Sequence, residues 1–161
     1  MSAQLKLTID LAPLKRLQRK SPKAFDRAQR KAAVQFLNWA NNGSKNSAKK
    51  PPIRWGVLRG SSSAFIGTQL VTTYSQPGIE GKPTPAKSPD GKPEDTTLTF
   101  AWNTDYAWKM HEWGQNEKEG WGEATKRDFD AGNKWLEEHL RVDAEDLMEF
   151  IRRQVLKELS L

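Results

Sequence analysis

The stretch from Ser21 to Gly43 constrains this chain more than any other. Serine suits the N-cap because its hydroxyl can accept from a free N–H of the first turn. Proline suits the next position, where no N–H is needed. Phe25, Ala28, Ala32, Phe36 and Trp39 then recur at spacings of three and four, which draws one apolar stripe along a helix. Arg27, Arg30 and Lys31 lie largely off that stripe. Asn41-Asn42-Gly43 supplies a stop. The pattern predicts a helix from about Pro22 to Asn42 with one face to bury.

The remaining segments suggest what covers that face. Leu5, Leu7, Ile9 and Leu11 alternate with Lys6, Thr8 and Asp10, the period of a half-buried strand. Pro13 ends it, and residues 14–20 read as a short helical turn. Residues 63–74, with Phe65, Ile66, Leu70, Val71 and Tyr74 among threonines, read as a second strand. Residues 96–103 alternate Leu98, Phe100 and Trp102 against Thr97, Thr99 and Ala101, a third strand expected to pair antiparallel with 63–74. The proline- and glycine-dense loop 75–95 would then be the tip of a long hairpin. Residues 105–113 read as a short helix or turn, and 133–140 as a short helical or extended segment. Asp143 is expected to cap a terminal helix that buries Leu147, Ile151, Val155 and Leu159, with Met148 a substitute for Leu147. Together these predict one α+β domain over 1–161: a small antiparallel sheet with a long N-terminal helix and a C-terminal helix packed on one face. Loops are expected at 44–60, 75–95 and 114–130.

Composition narrows the function classes. The chain has 161 residues, is 36% hydrophobic and 29% charged, and has no apolar run of membrane-spanning length, so a soluble protein is expected. The N-terminal alternation predicts no signal peptide. The absence of cysteine excludes disulfides, thiolate metal sites and a cysteine nucleophile, and fits synthesis in cytoplasm. The net charge of +6 is unevenly placed. Residues 1–60 hold 14 Lys/Arg against 2 acids, and residues 61–161 hold 12 against 18. A basic half can mark a nucleic-acid contact; opposite halves can equally orient neighbouring subunits. No helix-turn-helix, zinc-finger or ribonucleoprotein signature accompanies the basic cluster Lys15–Lys31.

Enzyme motifs fail at particular positions. His111-Glu112 lacks the second histidine of a zinc helix, since position 115 is Gln. The other histidine, His139, stands in no recognisable spacing to it. Gly60-Ser61-Ser62-Ser63-Ala64 is neither a nucleophile elbow nor a phosphate loop with its required lysine. No catalysis, cofactor or metal is predicted.

Three segments in order carry a resemblance. They are Pro51-Pro52-Ile53-Arg54-Trp55-Gly56-Val57-Leu58-Arg59-Gly60-Ser61, then Tyr106-Ala107 with Met110-His111-Glu112, then Gly132-Asn133-Lys134-Trp135-Leu136-Glu137. From about residue 20 onward the chain resembles the tail-completion, or head–tail joining, proteins of long-tailed bacteriophages, also described as minor capsid or tail-component proteins. Trp55 stands where that family usually has threonine, and the loop 75–95 is long.

The resemblance implies a structural virion protein, made in the host cytoplasm, that forms a homo-oligomeric ring, commonly six-fold, in the phage neck. Such a ring completes the tail tube and joins it to the head connector or adaptor proteins. Genomic DNA passes through its lumen without sequence-specific contact, and no membrane is involved. A ring needs unlike surfaces that meet, and this charge asymmetry suits them. Arg59, Ser61, Tyr106, Trp108, His111, Glu112, Trp113, Trp121, Lys134 and Trp135 are the candidate interface residues. The basic helix is expected to face outward or toward another protein. The rival readings are a basic DNA-binding or packaging accessory protein and a small hydrolase.

Arg59, a charge between loop glycines Gly56 and Gly60, suggests a first test. Arg59→Ala is expected to lower particle yield while leaving the monomer's melting temperature in place. A collapse of monomer stability would instead assign Arg59 to an internal ion pair.

Overall fold

A computed structural model describes residues 5–49, 60–74, 88–90, 97–104, 107 and 135–160. Strand β1 spans Leu5–Asp10. A 3-10 turn at Ala12–Leu14 leads into the short helix α1, Lys15–Lys20. Helix α2 then runs over Pro22–Asn42, the predicted bounds. Strands β2 (Ser62–Ile66), β3 (Gln69–Thr73) and β4 (Thr97–Trp102) follow, and helix α3 covers Trp135–Leu159. The α+β architecture holds, with the sheet antiparallel throughout.

The strand order is β1-β4-β2-β3, and this corrects the expected hairpin. Residues 63–74 are not one strand: Gly67 takes φ 54 and turns the chain, so β2 and β3 pair with each other. Left-handed backbone of this kind is open to glycine at little cost. Strand β4 then inserts between β1 and β2, pairing Leu5 with Trp102 on one side and Ser62 with Trp102 on the other. The segment 75–95 therefore joins an edge strand to a central one and is no hairpin tip.

Alternation along the strands directs Ile9, Ala64, Ile66, Leu98, Phe100 and Trp102 into one core with the stripes of α2 and α3. Phe36 of α2 lies against Phe100 with ring centroids 4.6 Å apart. Trp135, in the first turn of α3, meets Trp102 edge-on at 6.5 Å. The opposite face of β4 is covered too, since Thr99 and Ala101 are buried and Ala101 clusters with Phe65. The expected half-buried alternation therefore understates β4.

Helix α3 also departs from expectation. It is continuous from Trp135, so the segment 133–140 is not separate over its described part and Asp143 is no cap. Asp143 sits mid-helix and buried. The apolar stripe closes at Val155, and Leu159 is exposed.

Asn41, read as part of a stop signal, is a buried polar hub. Its Nδ2 donates to the Leu37 carbonyl at 3.0 Å and to Ser62 Oγ at 2.9 Å, while its Oδ1 accepts from Trp102 Nε1 at 3.3 Å. It ties the end of α2 to β2 and β4 together. Gly43 then ends the helix at φ 90, its N–H donating to the Trp39 carbonyl at 2.8 Å. Removing the amide strands a buried indole N–H. Asn41→Ala is expected to lower stability by about 2 kcal/mol, read from the urea midpoint, since an orphaned buried donor costs more than a lost bond returns.

Candidate interaction surface and a buried polar clamp

The basic cluster divides in two. Arg27 donates from Nε to both Glu158 oxygens, at 3.1 and 3.0 Å, and from Nη2 to Oε2. Arg30 Nε donates to Asp26 Oδ2 at 3.0 Å, and its Nη2 to Gln69 Oε1 at 2.7 Å. Lys31 Nζ reaches Gln154 Oε1 at 3.4 Å. These three therefore join α2 to α3 and β3 within the subunit. Arg27 and Lys31 nonetheless stay exposed at the surface.

Lys15, Arg16, Arg19, Lys20 and Lys23 are different. All five are exposed, and none has a carboxylate partner among the described residues. At 3.6 residues per turn, the first four spread over an arc of about 140° on α1. Like charges this close repel one another and attract an anion.

A groove of about 420 Å³ lies beside them, between the 3-10 turn with α1 and the last turns of α3. Pro13, Leu14, Leu17 and Leu156 give it apolar walls, and Arg16, Lys20 and Arg152 bring cationic heads to it. Leu156 is 56% exposed, so an apolar side chain faces water here. Arg152 is loosely held by Glu149, with 3.7 Å between Nη1 and Oε2. Apolar walls beneath positive heads can hold an anionic group carrying apolar bulk.

Toward the other end of α3 stands a buried clamp. His139 Nδ1 lies 2.5 Å from Asp143 Oδ2, one helical turn away, and Nε2 lies 2.6 Å from the Lys49 carbonyl oxygen. Asp143 Oδ1 accepts from Ser44 Oγ at 2.8 Å and from Asn46 Nδ2 at 2.9 Å. A serine, a histidine and an aspartate in contact invite an acyl-transfer reading. The geometry argues against it. Ser44 donates to the carboxylate and not to the imidazole, and the imidazole's outer nitrogen is turned to a backbone carbonyl. The clamp holds residues 44–49 against α3. Both His139 and Asp143 fall on the stripe that continues through Leu147, Ile151 and Val155 at intervals of four. Counting polar residues on that stripe would have revealed both the clamp and the full helix. No three of the described His, Asp and Glu residues come together in a way that could hold a metal ion.

Two half-buried carboxylates of α3 respond to pH. Glu158 is held below its ordinary 4.5, first by the hydrogen bond from Arg27. Asp146 is held below its ordinary 3.8, first by the hydrogen bond from Asn46 and then by that from Lys45. A depressed carboxylate stabilises the fold fully above its ordinary value, and that contribution is lost as pH falls through the depressed one. Acid titration is therefore expected to lower the urea midpoint in wild type from about pH 4.5 downward. Glu158→Gln is expected to fall less steeply over the same range.

Of the candidate interface residues, Ser61 and Trp135 are wholly buried in the subunit. Ser61 Oγ accepts from the Asn103 N–H at 3.1 Å, and Trp135 packs on Trp102. Both side chains point into the fold, which corrects their assignment to a surface. Arg59, Tyr106, Trp108, His111, Glu112, Trp113, Trp121 and Lys134 lie outside the described residues. Among the described residues no helix is long and apolar enough to cross a membrane. The unpaired cations of α1 were legible as charge, but their distinction from Arg27, Arg30 and Lys31 needed the packing of α3. Set against models of known protein families, curated proteins and solved structures, the chain shows no significant match.

Proposed function

We propose that this chain is a structural subunit of a phage neck, building a homo-oligomeric ring that completes the tail tube and joins it to the head connector. The observation that carries the reading is an uneven distribution of charge along the chain. Five exposed cations at α1 and the start of α2 lack partners among the described residues, while residues 61–161 hold the acid excess. Ring interfaces join one surface to a different surface of the next copy, and such a charge division orients them. The ordered motifs at 51–61, 106–112 and 132–137 give the specific assignment. Catalysis plays no part in this role.

Mass photometry and negative-stain imaging of the purified protein test it. Discrete closed rings, alone or with tail tube and connector proteins, are the expected result. A monomer at every concentration that also ignores both partners would end the reading.

The same cations favour one second reading, a basic DNA-binding or packaging accessory protein. A monomer that binds duplex DNA tightly would support it, provided affinity falls linearly on a log–log plot against salt with a slope near −0.9 per phosphate contacted.

A further inference from the structure

We infer that the groove between α1 and α3 receives residues 112–123 of a neighbouring copy of this chain. The groove sets two requirements. Its apolar walls, Leu17 and the exposed Leu156, call for a bulky apolar side chain. Its heads, Arg16, Lys20 and Arg152, call for negative charge around it.

Few stretches outside the described helices and strands meet both. Residues 50–59 carry Lys50, Arg54 and Arg59 with no acid, and like charge excludes them. Residues 75–87 and 91–96 contain no aromatic. Residues 105–111 balance Asp105 with Lys109, and 124–134 carry three cations against two acids. Residues 112–123 hold Glu112, Glu117, Glu119 and Glu123 against Lys118, a net of −3, together with Trp113 and Trp121. Tryptophan in a desolvated pocket ringed by charge is a frequent anchor of association energy. A groove near 420 Å³ is of a size to take one such anchor with its flanking chain.

The identity of the occupant as a second copy rests on the ring reading; the match of charge and aromatic chemistry does not. One copy's groove would meet the next copy's acidic segment, a heterologous contact that repeats around a ring.

Charge reversal tests this in the full-length protein. Arg16 and Lys20 have no partner within the described fold, so Arg16→Glu/Lys20→Glu is expected to keep the wild-type melting curve. Leu156→Gln provides a second variant that leaves the charges alone. Association, measured by sedimentation, is expected to weaken about tenfold or more in each, as for centrally placed contacts. Glu117→Lys/Glu119→Lys should weaken it similarly, and the two reversals combined should recover most of the loss.

A fluorescein-labelled peptide of residues 112–123 provides the second arm. It should bind wild type by anisotropy and lose binding to both groove variants. If the peptide binds in this way but the protein never assembles, the ring reading falls and the groove's chemistry stands. If rings form unchanged in every variant and the peptide does not bind, the inference is overturned and the ring reading survives. Displacement of the charge-swap effect into a strictly monomeric protein would place the segment on its own subunit, and preferential binding of a 20-bp duplex would make the groove a phosphate site. Either outcome overturns the proposal.

Discussion

Asp143→Ala should be among the most damaging single substitutions in this protein, lowering stability by about 3–5 kcal/mol. The carboxylate is 1% exposed and faces three groups at once: His139 Nδ1, Ser44 Oγ and Asn46 Nδ2. Deleting it leaves an imidazole nitrogen buried without its acceptor and weakens the hold of α3 on the 44–49 segment. That segment keeps the contacts of Asn46 with Val142 and Asp146, of Lys45 with Asp146 and of Lys49 with His139. Cutting one side of a buried polar pair costs more than never having built it. A double-mutant cycle with His139→Ala separates the pair from its setting. If the clamp acts as a unit, the two losses should fall short of adding by 1 kcal/mol or more, within the range of coupling for contacting residues, about 0.5–3 kcal/mol. Chemical denaturation of the four proteins is the measurement. Simple additivity would show that the two side chains contribute separately and that no clamp exists.

Trp135→Ala is expected to cost about 3–5 kcal/mol as well, by a different route. Its side chain is fully buried and lies edge-on to Trp102, which itself holds Asn41. Truncation opens a cavity at the junction of α3 with the central strand, and the surroundings can collapse only partly. Trp135→Phe keeps most of the volume and should lose less than half as much. The prediction separates two roles for this residue. A core tryptophan lowers the monomer's urea midpoint; an interface tryptophan would leave the midpoint alone and weaken association only.

How much of this was legible in the sequence differs between elements, for physical reasons. The bounds of helix α2 were legible because proline, stripe and stop agree with one another, although Ser21 stands at the N-cap without a side-chain hydrogen bond. Strands β1 and β4 were legible as strands from their period of two. The antiparallel pairing of β4 with 63–74 was legible too and holds for β2. The division of 63–74 was not, because the turn at Gly67-Thr68 contains one glycine among β-branched residues and none of the two-residue hairpin signals such as Asn-Gly. Missing that turn fused β2 with β3 and cast 75–95 as a hairpin tip. Helix α3 lost its first two turns in the sequence reading because His139 and Asp143 occupy its buried face, and polar residues break a count of apolar ones.

The candidate site was less legible than the fold. Lys15 to Lys31 reads in sequence as one basic run, yet three members end in contacts with α3 and β3 and the others have no such contacts. That division depends on Glu158, Gln154 and Gln69, residues distant in sequence that only the fold brings near. Ser61 and Trp135 misled for a related reason: a motif marks what is constrained, and burial constrains a residue as firmly as a partner does.

The position of β4 has a consequence for how the chain reaches this fold. The strand at the middle of the sheet is the last of the four to leave the ribosome, and β1 has no edge to pair with until it arrives. The Arg27–Glu158 contact between α2 and α3 closes over 131 residues. Until then the β2–β3 hairpin and the isolated α2 are the local structures available, with the apolar stripe of α2 in water. Long-range closure of this kind slows folding, and exposed stripes attract one another meanwhile. The chain should therefore complete this fold only once α3 has emerged.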